Sequence, residues 1–241
     1  MHILDAFSLA LNLLVNADAN LLAIVYRSLA VSLCATALAG AAGVLLGAWL
    51  GVRPLNSWGL VLAVLNTLLA LPSVVVGLLV YLLLSRSGPL GHLGWLYTFE
   101  AMVMAQTVLL LPLVTALTRQ WVNQAHLEYG EQLVAWGAGP SMRGLLLVWE
   151  LRWPLVTVGV TAFGRAVSEV GAVMIVGGNV DGFTRVMTTA IALETSKGDL
   201  PLALGLGLIL LGVVLALHLL LAVLMRKAGT LRTTVPLGVG A

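Results

Sequence analysis

The stretch SLAVSLCATALAGAAGVLLGAWLGV, Ser28–Val52, runs without one charged side chain and ends at Arg53. A bilayer core needs about 20 apolar residues per helix, so Val31–Leu50 alone is long enough to cross it. Comparable runs follow. Leu60–Leu84 lies inside the uncharged segment Pro54–Ser85, Ala101–Thr118 is a third, and Leu200–Met225 is interrupted only by Pro201 and His218. Pro154–Gly178 is a fifth and more polar run, with Arg165 and Glu169 near its middle. Of the 241 residues, 60% are hydrophobic and 9% charged, and the mean hydropathy is +1.05. A soluble domain carries about 25% charged residues. These numbers exclude a cytosolic enzyme and a disordered chain, and predict an all-α polytopic membrane protein of about five spans.

Outside the spans, residues 1–20 hold too few apolar side chains to cross and read as an interfacial segment. They lack the basic start of a signal peptide. Residues 21–227 form the transmembrane domain and 228–241 a tail. Basic residues tend to stay on the cytoplasmic side. One orientation places Arg53, Arg119, Arg143, Arg152, Arg226, Lys227 and Arg232 there, against Arg86, Arg185 and Lys197 outside. The N-terminus is therefore expected outside and the C-terminus inside. Five spans cannot divide into two inverted halves, so a transport path would form between two copies of the chain.

The segment Arg119–Trp153 is too long for a plain hairpin. It reads as a cytoplasmic helix–turn–helix: one helix from about Gln124 to Trp136, capped by Asn123, with an apolar stripe Tyr129, Leu133, Trp136. Gly137-Ala138-Gly139-Pro140 forms the turn, and a second helix runs from about Ser141 to Leu151. Glu131, followed six residues on by Gly137, then Ala138-Gly139-Pro140 and Leu147, resembles the EAA loop of ABC importer permeases. The resemblance implies that Glu131, Leu133, Ala135, Trp136, Gly137, Ala138 and Gly139 dock on a separate cytoplasmic ATPase dimer and pass its closure to the spans. Gly164-Arg-Ala-Val-Ser-Glu-Val-Gly-Ala172 with Gly177-Gly178-Asn179 resembles a core span of oxyanion permeases. Arg185–Asp199 is similar to the tungstate branch of the molybdate/tungstate permeases. The implied function is import of tetrahedral oxyanions, tungstate first and molybdate or sulfate as alternatives. An extracytoplasmic binding protein would deliver them across a prokaryotic cytoplasmic membrane to a homodimeric permease.

Charges inside a span are costly and face protein or water. Arg165 and Glu169, four apart, share a helical face and either lock one helix as an ion pair or meet the anion. In the second case Glu169 tempers the field of Arg165 and Ser168 adds a hydroxyl donor. Asn179, Arg185, Thr188 and Thr189 suit the extracytoplasmic entrance, or else an ordinary docking helix. Pro72 and Pro112 are expected to kink their spans. Gly40, Gly43, Gly47 and Gly51 form a close-packing stripe. His218 reads as a packed neutral histidine, and Trp95 and Tyr97 as interface anchors. With Lys197 and Lys227 as the only lysines, the chain has no phosphate loop. It offers no metal cluster, no nucleophile motif and no nucleic-acid surface, so it binds no cofactor itself and ATP belongs to the partner. Two other classes stay open: an intramembrane enzyme using Glu169 and His218, and a scaffold subunit whose cytoplasmic knob only docks.

Overall fold

A computed structural model describes residues 19–53 and 59–227. The expected interfacial segment (1–18 of it) and the tail lie outside them. Helices α1 (Ala19–Gly51), α2 (Gly59–Leu69), α3 (Ser73–Leu84), α4 (Phe99–Ala135), α5 (Pro140–Glu150), α6 (Arg152–Val167), α7 (Gly171–Gly177), α8 (Met187–Lys197) and α9 (Leu200–Lys227) follow in order. Among the described residues there is no strand. Three helices, α1, α4 and α9, are long and apolar enough to span alone. The bent pairs α2–α3 and α5–α6 raise the number to five if each is one span.

Two expectations change here. Leu60–Leu84 is not one kinked helix: the chain turns through 98° between α2 and α3. Pro72 lies outside both helices, as the extended N-cap of α3; it lacks an N–H and disfavours helix in the residue before it. The expected separate helix Gln124–Trp136 does not exist either. It is the end of α4, and Asn123 caps nothing, because no glycine or proline interrupts residues 119–129. Pro112 sits inside the same helix without ending it. Its 37 residues reach roughly 55 Å at about 1.5 Å per residue, against a hydrocarbon core of ~30 Å. α4 is therefore several turns longer than a crossing needs, and the knob is attached to its C-terminal end.

Packing follows the glycine stripe. A methyl group on Gly43 would meet Val114 at 2.8 Å, on Gly47 the Thr115 carbonyl and Thr118 at 2.7 Å, and on Gly51 Val122 at 2.7 Å. The two registers rise together, so α1 and α4 are parallel and in backbone contact. Gly40 has open space around it and does not belong to the seam. The main core joins α1, α3, α4, α6 and α7 through Val31, Ala35, Val76, Met102, Leu110, Ala162 and Val173. A second cluster at the knob end holds Ala48, Val52, Val122, Ala125, Leu133 and Leu147. A third, of Leu21, Val167, Met187, Ala190 and Leu206, seats α8 and α9. Along α9, Leu211, Leu215, Leu219 and Leu220 are exposed, as suits a lipid-facing helix. His218 is exposed rather than packed, and its Nδ1 lies 2.8 Å from the Val214 carbonyl of its own helix.

Candidate functional site: the knob and the break in the fourth span

The turn of the knob is built by backbone chemistry. Trp136 is the C-cap of α4, and Gly137 follows at φ 76°, a left-handed conformation that glycine adopts without steric cost. Gly137 N donates to Val134 O (2.9 Å) and Ala138 N to Leu133 O (3.0 Å), which satisfies two of the orphan carbonyls at the helix end. Gly139 then extends as the N-cap of α5, with Pro140 in the first turn. α5 packs inward through Gly144, close to the Ala48 backbone, and through Leu147. Its other side presents Met142, Leu145, Leu146 and Trp149, all exposed at helical spacing. Trp149 and Trp136 are 73% and 79% exposed, so two large indoles stand at the knob largely uncovered by this chain. Tyr129, Leu133 and Trp136 do share a face, but as one wall of an open groove of about 380 Å³ opposite Leu146 and Trp149. Glu131 and Ala135 are exposed beside it and Ala138 is half-buried against the knob-end cluster. Chemically, this is an exposed apolar face beside a sharp elbow. α6 leaves α5 at 77°, with the Arg152 guanidinium donating to the Trp149 carbonyl at 3.1 Å.

The fifth apolar run is broken in mid-course: α6 stops at Val167, and α7 starts at Gly171. Arg165 and Glu169 are thus not two positions of one continuous helix, which corrects the shared-face expectation. They still approach, Arg165 Nη2 lying 3.9 Å from Glu169 Oε2, a long and loose pair by hydrogen-bond standards. The arginine side chain is 57% exposed and the glutamate 8%. Glu169 is occupied by its own backbone, Oε1 accepting from Val170 N (3.1 Å) and Gly171 N (3.0 Å) at the start of α7. Ser168 is exposed beside Arg165 and donates to its carbonyl at 3.1 Å. Arg165 and Ser168 therefore form an outward-facing polar patch at the break, with Glu169 tucked behind them.

The remaining candidates divide differently. Thr188 Oγ1 donates to the Glu169 carbonyl at 2.7 Å, which joins α8 to the break. Thr189 is fully buried and closes the first turn of α8 through Val186. Asn179, at φ 50°, donates to the Thr189 carbonyl at 3.3 Å. Arg185 pairs with Asp181 at 2.9 Å. These residues hold the α7–α8 connection together, and the structure does not bring them to the Arg165 patch, apart from Thr188. Tyr97, also left-handed at φ 62°, packs beside Gly178 and donates its N–H to the Val176 carbonyl at 3.0 Å.

Two residues escaped the sequence reading. Gln106, a lone amide in the third apolar run, is buried and donates Nε2 to the Ala166 carbonyl at 2.9 Å, bracing α4 against the end of α6. Arg27 donates to the carbonyls of Arg185 (3.1 Å) and Gly182 (2.6 Å), tying α1 to the α7–α8 connection. A polar side chain at span depth was the available signal in both cases. Among the described residues, no group of three or more His, Cys, Asp or Glu side chains is placed to hold a metal ion.

An exposed knob on a helix longer than one crossing, joined through a sharp elbow to a broken polar segment, is the architecture of an all-α polytopic membrane protein with an apolar face left uncovered. Comparison with known proteins narrows that class. The chain is 43% identical over 217 residues (90% of its length, 95% of the relative's) to the tungstate uptake system permease protein TupB of Peptoclostridium acidaminophilum. It is 36% identical to TupB of Campylobacter jejuni, covering 90% of this chain and 91% of that one. It is 42% identical to a probable anion ABC transporter permease protein of Haloferax volcanii, covering 83% and 88%. No protein-family model matches. The chain is a permease subunit of an ABC transporter, an integral membrane protein whose ATPase is a separate chain and which is not itself an enzyme. Within that class it belongs to the family of the tungstate uptake permeases.

Proposed function

We propose that this chain imports tungstate, two copies framing one path across a prokaryotic cytoplasmic membrane. An extracytoplasmic binding protein delivers the oxyanion, and a cytoplasmic ATPase dimer grips the knob around Glu131–Gly139. The N-terminus is outside and the C-terminus in the cytoplasm, as the distribution of Arg and Lys favours. The observation that carries the reading is the identity of 43% and 36%, over 90% of the chain, to two permeases named for tungstate uptake. Two physical features support it. Trp136, Trp149 and the outer side of α5 present apolar surface to a partner. Arg165 and Ser168 lie exposed at the depth of a span, where lipid cannot solvate a guanidinium. A water-lined path shared with a second copy accommodates both. Arg165 offers the anion its donor fork, while Glu169, held by the backbone of α7, keeps the local field from binding the dianion too tightly to release it. ATP binding and hydrolysis on the partner bias two arrangements of the spans, with the α5–α6 elbow carrying the motion.

The test is isolation of the full chain from its native membrane in mild detergent. Recovery with a stoichiometric ATPase carrying a phosphate loop is the expected result. Recovery of the chain alone, under conditions that preserve other membrane complexes, would contradict the proposal.

A further inference from the structure

Between α1, the bent pair α2–α3 and α4 lies a groove of about 410 Å³ that neither the knob nor the break uses. Leu46, Trp49, Val64, Leu68, Pro112 and Thr115 mark its course. Its lining is apolar almost throughout, and Leu46, Trp49, Val64 and Leu68 are themselves exposed, so it opens outward. Leu71, within the 98° bend between α2 and α3, is part of its wall.

One end of the groove is cationic. Arg53 stands one turn beyond Trp49, with its guanidinium carbon 3.9 Å above the centre of the Trp49 ring. Arg119 stands one turn beyond Thr115 on α4, on the same helical face. Both walls thus pass from apolar lining to an arginine within one turn, at the end where α1 reaches the knob-end cluster. We propose that this groove holds one acyl chain of an anionic phospholipid, with the headgroup phosphate between Arg53 and Arg119. An acyl chain matches a groove with hardly a polar group to satisfy. Guanidinium groups at membrane-surface level are the chemistry that holds a lipid phosphate. A second copy of this chain fits less well. A two-fold contact sets the same patch on both partners, and α1, α2, α3 and the stretch 101–127 of α4 that flanks the groove carry no acidic residue to meet the arginines.

Native mass spectrometry of the full-length chain in mild detergent tests the proposal. Dioleoylphosphatidylglycerol and dioleoylphosphatidylcholine are added in equal amounts. The expected result is retention of one phosphatidylglycerol per chain, at least tenfold over phosphatidylcholine. Arg53→Gln with Arg119→Gln abolishes the preference, and Val64→Trp, which fills the groove, abolishes retention. Because the arginine pair removes no apolar lining, it keeps the test decisive if the Val64 variant does not insert. Equal retention of the two lipids overturns the proposal, as does a preference unchanged in the arginine variant. Disulfide formation between copies through Leu68→Cys, in a Cys34→Ser background, would place a second protomer in the groove and also overturn it.

Discussion

The hydroxyl of Thr188 donates a 2.7 Å hydrogen bond to the main-chain carbonyl of Glu169, 19 residues earlier. The bond ties the first turn of α8 to a residue just before α7, and so fixes the break in the span from behind. Thr188→Val keeps the shape and removes the donor. It should lower the stability of the full chain in detergent by about 1 kcal/mol, read as a fall in thermal midpoint, and Thr188→Ser should restore it. Equal midpoints for the valine and serine variants would contradict this role.

Glu169 holds two backbone N–H groups with one carboxylate oxygen. Glu169→Leu strands both at the depth of a span, and the loss should be roughly 2–3 kcal/mol. Glu169→Gln keeps an oxygen acceptor and should fold, but with the charge beside Arg165 gone, tungstate should be released more slowly. Folded yield and single-turnover release of the two variants separate these effects.

The long apolar runs and the knob's turn were legible in the sequence. Ser28–Val52 contains nothing that lipid would refuse, and Gly137-Ala138-Gly139-Pro140 is turn chemistry wherever it occurs. Two boundaries were not legible. Polarity after Thr118 suggested a new helix at Gln124, yet hydropathy reports where a helix leaves the lipid rather than where its hydrogen bonds stop. The break at Ser168 was hidden because Gly164–Ala172 satisfies a helix locally. What holds the break is two contacts from elsewhere in the fold, the Thr188 bond and the Gln106 brace on Ala166, together with the local turn of the Glu169 carboxylate onto the start of α7. Arg165 and Ser168 were identifiable as polar groups in a span, but their outward exposure follows from that break.

Gly137 has open space where a side chain would go, so a substitution there costs only backbone strain, about 1–2 kcal/mol for a left-handed residue. Gly137→Trp should leave the protein inserted while uptake is lost and the ATPase of the complex no longer responds to the loaded binding protein. Wild-type uptake in this variant would refute the coupling role of the turn.

The glycine seam gives an internal control. Gly47→Ala drives a methyl group into the Thr115 carbonyl and Thr118, whereas the methyl group of Gly40→Ala meets nothing within 4 Å. The first should destabilise the chain by roughly 1–3 kcal/mol as overpacking, and the second should lie within about 0.5 kcal/mol of wild type. Thermal unfolding in detergent compares them directly.

Arg165→Ala should reduce tungstate flux at least tenfold while the amount of inserted chain changes little, because that side chain is mostly exposed and its pairing is long. Arg165→Lys keeps the charge without the fork and should fall between. Flux normalised to the protein recovered in the membrane is the readout, and a proportional fall in both would make Arg165 structural.

ATP-driven tungstate uptake by proteoliposomes tests the account most directly. They carry this chain with its ATPase, and the external binding protein is supplied. The account predicts accumulation of tungstate ahead of molybdate and sulfate, only when ATP is present at the knob face. An intact assembled complex that hydrolyses ATP and moves no tungstate would contradict it.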